Sequence, residues 1–472
     1  LQDRHQPRRL GPFADTLSRN KAGIPVTPTD STPANVSSSG KDLSAVFEWA
    51  GVVLTIGTYL FWFRPILDGD GHLRFQFLHH LFENGRAFEM KYSALGPLLA
   101  TPLYFLGKVV QSPEWWCARF NLVVFFGACG ALYGLLRNSS GPALARRFVL
   151  LLLVASMYPN HVQQFYGEVL SSTTAGIGLF LLATGQAILA WPLLAVGLVN
   201  TPATAVAIGA AVLALCLRTR RLGPLLIFGA LCSLVCVEAW LRFGRWVPGG
   251  YDHDAGYATL LPYSGRPGFS YPMVFGVLSL LFSFGKGLVF FAPGAFLDMP
   301  ARNDNPPHST FVFLARWYLV GLVLVYSGWW SWYGGYFWGP RFLLFASIPA
   351  ALILAERSLR ASEHPLRFNF LTLAALIWSV WVGMDGAMFD QQNMGICEKN
   401  NYALESFCWY LPEFSALFRP FVVLQEIPAA YVVPLLLMAT AGLTMVGPLA
   451  WTCILQLRAW MLLRSGYSRP GS

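Results

Sequence analysis

Residues 45–63 read AVFEWAGVVLTIGTYLFWF, nineteen residues that carry one charge, Glu48. At about 1.5 Å of rise per residue, such a run is ~28 Å long as a helix, close to the thickness of a bilayer's hydrocarbon core. Just beyond it the chain reads Asp68-Gly69-Asp70-Gly71-His72. Two carboxylates and a histidine thus stand where a membrane span should be leaving the lipid. Charge at such a place is costly unless water, a partner or a substrate uses it.

The rest of the chain supports a membrane reading. It has 472 residues, 55% hydrophobic and only 12% charged. Soluble domains carry about 25% charged residues. Length alone would predict about three soluble domains, but repeated apolar runs of spanning length overrule that. The net charge of +9 does not point to nucleic acid. Lys and Arg cluster in short loops between apolar runs, as cytoplasmic loops of membrane proteins do. Of eight cysteines, Cys117, Cys129, Cys216, Cys232, Cys236 and Cys453 lie in or beside apolar runs and read as packing residues. Cys397 and Cys408 share a polar loop, and a disulfide there depends on the loop facing an oxidising compartment.

Residues 1–43 are polar and basic with no apolar stretch, and read as a disordered cytoplasmic tail. Residues 44–472 then read as one transmembrane domain. Apolar runs follow at 120–136, 148–158, 169–187, 188–199, 203–217, 222–241, 271–296, 311–326, 342–355, 370–382 and 429–457. The stretch 95–110 is short and carries Pro97 and Pro102, so it reads as re-entrant or interfacial. With that choice Arg137, Arg146, Arg147, Arg218, Arg220, Arg221, Arg357, Arg360, Arg367, Arg458 and Arg464 all fall on one side. The expectation is an all-α polytopic protein of about twelve transmembrane helices with both termini cytoplasmic. Loops 64–111, 242–270, 327–341 and 385–428 are then external. In the first of them Phe75, Leu78, Leu81 and Phe82 recur at helical spacing, the pattern of an amphipathic helix on the membrane surface.

The unusual residues collect on the external side. Asp70 or Asp68 can act as general base towards a hydroxyl; the alternative is a turn built of Asp and Gly. Asp70 is preferred because it stands further from the span, beside His72. His72, His79 and His80 show no metal-ligand spacing such as HExxH. No cofactor is required, and a divalent metal at Asp70 stays an open alternative. Glu168 follows Tyr166-Gly167 at the lip of an apolar run and either snorkels or enters a cavity. Ser283-Phe284-Gly285-Lys286-Gly287 is not a phosphate loop, since Leu280 and Gly287 replace the Gly and the Ser or Thr that GxxxxGK[ST] requires. Lys286 is an intramembrane cation expected either to meet a lipid phosphate or to snorkel. Residues 329–341 read WWSWYGGYFWGPR, either an interfacial aromatic belt or a platform on which a sugar or prenyl group stacks. In the second case Trp338 belongs to the platform and Arg341 grips a phosphate. Asp252, His253 and Asp254 form a third acidic cluster, in a Gly-rich loop.

Taken together, these residues resemble the GT-C superfamily of polyprenyl-phosphate-sugar-dependent glycosyltransferases, in particular its bacterial protein-mannosyltransferase and aminoarabinose-transferase group. The likeness covers roughly residues 45–360. That family has a first span, then a large external loop with an essential Asp and juxtamembrane amphipathic helices, the place held here by Asp68 and Asp70. Its K-x-P-L segment is similar to Lys91-Tyr92-Ser93-Ala94-Leu95-Gly96-Pro97-Leu98, and Arg119 stands where the family often has Arg. Ser283 to Pro293 and Trp329 to Arg341 resemble the SPGKGL…YSP and W-Y-G-G-x-x-W-G-P-R-F-L segments of bacterial members. The loop reads Asp-Gly-Asp-Gly rather than Asp-Glu, so either aspartate can be the catalytic one. No large C-terminal soluble domain follows, so acceptor recognition falls to the external loops or to a partner. The resemblance implies a polyprenyl-phosphate sugar donor, a lipid, glycan or protein acceptor, and contact with membrane lipids but not nucleic acid. It places the protein in a bacterial inner membrane with the site on the periplasmic face. On this reading Asp70 or Asp68 is the base, and His72, Lys91, Glu168, Lys286, Trp338 and Arg341 bind substrate or phosphate. A transporter or flippase, and a non-catalytic membrane subunit, are the competing classes.

Overall fold

The computed structural model describes residues 38–86, 89–247, 249, 251, 254–300, 306–335, 337–389, 395–423, 427 and 429–464. The expected tail at 1–43 falls mostly outside them, as do Asp252 and His253. The chain divides into a unit of Leu1–Leu43 and one of Ser44–Ser472, and the second carries the membrane helices. Among the described residues there is no strand, only an isolated parallel bridge of Ile66 with Gln164.

The first helix, α1 (Ser38–Phe61), is the run on which the sequence turns. Its one mid-run charge is met by packing: Glu48 takes Arg146 Nε at 3.0 Å and Arg147 Nε at 2.7 Å. Taking one partner from a buried cluster of this kind costs about 3–5 kcal/mol. Asp68 then caps α2 (Gly69–Asn84), accepting from the Gly69 N–H at 2.7 Å, and Gly85 ends it at φ 66°. Phe75 and Leu78 of α2 are buried while His72, His79 and His80 are exposed, so the amphipathic spacing is realised. Two short helices follow, α3 (Leu95–Leu99) and α4 (Thr101–Val109), neither long enough to span. Next come α5 (Pro113–Ala118), α6 (Phe120–Ser140), α7 (Pro142–Val154) and α8 (Tyr158–His161).

The next helices are α9 (Glu168–Ala183), α10 (Ala187–Asn200), α11 (Thr204–Thr219) and α12 (Gly223–Phe243). Beyond them lie α13 (Met273–Phe282), α14 (Leu288–Phe291), α15 (Pro306–Ser327), α16 (Ser347–Leu359) and α17 (Leu366–Met388). The short α18 (Glu405–Tyr410) and α19 (Arg419–Val422) precede the last helix, α20 (Ala429–Arg464). Among the described residues seven helices are long and apolar enough to cross a membrane, and Glu168–Ala183, Ala187–Asn200, Thr204–Thr219 and Met273–Phe282 are shorter apolar helices. The chain is an integral, all-helical membrane protein. Helix α16 is buried almost throughout, whereas α12 is nearly bare. A helix apolar on every side belongs either in a core or against lipid, and these two occupy the two positions.

One expected span is corrected. The run 271–296 is not one helix: α13 stops at Phe282 and α14 resumes at Leu288. Backbone from another segment enters the gap. Gly285 N–H donates to Trp409 O at 2.9 Å, and a Cβ at Gly285 would lie 1.9 Å from Cys408 O. Cys408 is disulfide-bonded to Cys397, which answers the question the sequence left open.

Candidate active site

The cap of α2 separates the two aspartates. Asp68 spends its side chain on the helix start and is exposed. Asp70, in the first helical turn, faces a cavity of about 920 Å³. Tyr92 donates to its Oδ1, and Arg341 Nη1 donates to its Oδ2 at 2.9 Å. Arg341 Nε also lies 3.5 Å from Glu168 Oε1, so one guanidinium joins two carboxylates from distant parts of the chain. The rings of Phe337, Phe342 and Tyr166 surround it at 5.0–5.3 Å. Burial pushes the Asp70 carboxyl up. The charge of Arg341 and the hydrogen bonds from Tyr92 and Arg341 outweigh it and hold Asp70 below the usual carboxylate value.

One turn further along α2, Arg74 also lines the cavity while only 5% exposed. Its guanidinium lies over the Tyr92 ring at 4.9 Å. Gly167 makes room for it: a Cβ there would lie 2.8 Å from Arg74 Nη2. Among the described residues no carboxylate forms an ion pair with Arg74. A buried cation on a cavity wall without its own anion is placed to receive one. Lys91 reaches the same cavity and pairs with Asp254 at 2.7 Å. The segment carrying Lys91 and Tyr92 is held by the end of α12. Arg242 donates to Met90 O and Tyr92 O, each at 2.6 Å, and Glu238 accepts from Ala94 N at 3.0 Å. Tyr251, Tyr326, Trp329, Trp330, Tyr333 and Tyr402 supply an aromatic wall, and Glu405 a further carboxyl.

The structure therefore brings together Asp70, Lys91, Glu168 and Arg341 of the residues expected from sequence. It does not bring four others. Asp68 is a helix cap. His72 is exposed, its Nε2 2.7 Å from Gln76 Nε2. Lys286 is wholly buried and donates to Gly335 O at 3.0 Å and to Phe337 O, so it holds the turn that presents Arg341 instead of meeting a phosphate. Trp338 is wholly buried, with Nε1 donating to Asp385 Oδ2 at 2.7 Å, so it packs behind the cavity and offers no stacking surface. Arg119 lies over Trp115 and bonds its carbonyl. Among the described residues no three His, Cys, Asp or Glu side chains are placed to hold a metal ion. Sequence reading missed Arg74, whose signal was its spacing of one helical turn from Asp70. It also missed Tyr92, Arg242 and Glu405 as site residues.

No family model and no curated protein matches the chain. Among solved structures it is similar to ArnT from Cupriavidus metallidurans in the apo state, at 14% identity and a TM-score of 0.47, over 88% of this chain and 78% of that one. ArnT from the same organism bound to undecaprenyl phosphate gives 13% identity and a TM-score of 0.46, over 92% of this chain and 82% of that one.

Proposed function

We propose that this protein is a GT-C-type glycosyltransferase. It moves a sugar from a polyprenyl-phosphate donor to a lipid, glycan or protein acceptor on the outer face of a bacterial plasma membrane, with Asp70 as the base. The observation that carries the reading is the placement, on one cavity wall, of an ionised carboxylate and a buried cation, Arg74, that forms no ion pair among the described residues. Asp70 accepts the hydrogen bond of an acceptor hydroxyl. The hydroxyl oxygen attacks the anomeric carbon, the bond from that carbon to the phosphate oxygen breaks, and the phosphate leaves with the electron pair. Arg74 and Lys91 take up the charge that develops on it. A carboxylate held at low pKa is a weak base. It suits a reaction whose transition state is oxocarbenium-like, where the attacking hydroxyl needs orientation and late proton removal.

The finer topology belongs to the same proposal: about twelve spans, both termini inside and the cavity outside. Two helices support it. Asp68 and Asp70 follow the C-terminal end of α1, and the Glu48–Arg146–Arg147 cluster sits near its start. Arg341 opens the span Arg341–Leu359 and Arg357 lies at its far end. Site and basic cluster thus occupy opposite ends of each helix. A transporter would instead place polar groups along a path open in turn to both sides.

The test is binding of decaprenyl phosphate to the full chain in detergent. Arg74→Gln is expected to weaken it by about tenfold, roughly 1.4 kcal/mol, in a folded protein. Wild-type protein that binds the lipid no better than decaprenol would overturn the reading.

A further inference from the structure

The transfer step leaves one buried carboxyl of the cavity unused. Glu405 is 2% exposed and lines the same cavity as Asp70, yet its neighbours differ. Tyr333 and Trp409 stand beside its carboxyl and the charge of Lys286 acts on it, whereas Arg341 acts on Asp70. Burial dominates and pushes Glu405 up to about 8, against the charge of Lys286 and the contacts of Trp409 and Tyr333. Two carboxyls on one cavity thus differ in kind, one ionised and one carrying its proton at neutral pH.

The segment that presents Glu405 is held in place at some cost. The Cys397–Cys408 disulfide closes it. Asn400, Asn401 and Tyr402 are consecutive left-handed residues, at φ 53°, 54° and 64°. Asn tolerates that conformation; an aromatic residue rarely adopts it. It persists here because Tyr402 stacks on Tyr257 at 4.0 Å and Ala403 O accepts from Leu260 N at 3.1 Å. The result places Tyr402 and Glu405 in the cavity wall together with Ser331 and Tyr333. A protonated carboxyl both donates and accepts, as hydroxyls do. Such a set satisfies neighbouring hydroxyls on a ring. It brings no charge to a phosphate, which the wall of Arg74 and Lys91 matches better, and a prenyl chain there would leave buried polar atoms unpaired.

We propose that Glu405, with Tyr402, Tyr333 and Ser331, is a subsite for a hydroxyl-bearing sugar ring, distinct from the cationic wall that takes phosphate. The inference rests on the glycosyltransferase reading and gives that site its sugar end. The ring can be that of the donor or of a glycan acceptor, and the test separates them.

The full chain in detergent is titrated with decaprenyl phosphate, with decaprenyl-phosphate-linked mannose, glucose and arabinose, and with the corresponding methyl glycosides. At least one glycosylated lipid, or one methyl glycoside, should show binding that depends on Glu405. For a donor ring, the sugar tightens lipid binding tenfold or more, and Glu405→Ala removes that gain while leaving bare decaprenyl phosphate within twofold. For an acceptor ring, the loss appears with a methyl glycoside instead. Glu405→Gln, which keeps one donor and one acceptor, should retain part of the gain, and it carries the test if the alanine variant does not fold. A sugar-dependent gain that survives both substitutions overturns the subsite. So does bare lipid binding with no gain from any sugar and no binding of any methyl glycoside. Failure of wild-type protein to bind any of the lipids instead overturns the polyprenyl-phosphate reading, and the subsite with it.

Discussion

Asp68 and Asp70 stand two residues apart, and the start of one helix assigns them different tasks. The first caps α2; the second is half-buried, bonded to Arg341 and Tyr92. Glu405 makes a second contrast, with a consequence for stability. Its carboxyl rises from an ordinary 4.5 to about 8 in the fold. Below 4.5 the folded and unfolded states both hold the proton. Between 4.5 and about 8 only the folded state does, so the stability of the wild type falls as pH rises through that window and the penalty is constant above it. Burial pushes the Tyr333 hydroxyl further above its ordinary value, and the Trp409 indole carries no titratable proton. Glu405→Gln does not titrate, so its melting temperature in detergent should gain on wild type from about pH 5 to about pH 8. A difference that stays flat would contradict the assignment. Among site residues, Asp70, Glu168, Lys91 and Arg341 were legible because charge beside an apolar run is conspicuous. Lys286 and Trp338 were conspicuous in the same way but misled. Composition does not say which way a side chain points, and both turn into packing. Arg242 and Tyr92 lie 150 residues apart and no local pattern joins them.

At the scale of elements, the apolar runs declared the helices, whereas Asp68, expected as a base or a turn residue, is the cap of α2. The interruption of 271–296 was readable only as a glycine-flanked lysine. Its cause is the arrival of Cys408 and Trp409, residues more than a hundred positions on. That segment is itself a built element, closed by a disulfide across a separation of 11 residues. Loop-closure entropy for such a ring amounts to about 3 kcal/mol. Replacing Cys397 and Cys408 with Ser should lower stability by roughly that amount and raise amide exchange across 397–410. Exchange at Gly285, whose N–H bonds Trp409 O, should rise with it. Unchanged exchange at Gly285 would show that the break in the span does not depend on the braced segment.

The whole molecule sets sides. If the cavity faces outwards, Cys introduced at exposed Glu398 should react with a membrane-impermeant maleimide in intact cells. Cys introduced at exposed Arg220, the left-handed residue that ends α11, should react only after permeabilisation. The reverse pattern would invert the topology and put the cavity inside. On either side the proposed chemistry turns on one carboxylate, and the direct measurement is transfer itself. Purified protein in liposomes is supplied with decaprenyl-phosphate-linked sugars and a membrane lipid extract, and labelled product is counted. Wild type and Asp68→Asn should transfer sugar at rates within about tenfold of each other, the loss of a helix cap costing roughly 1 kcal/mol of stability and no chemistry. Asp70→Asn should fall by a factor on the order of a hundred or more, as expected for loss of a general base, with binding of decaprenyl phosphate kept. Transfer by Asp70→Asn at the wild-type rate would contradict the account.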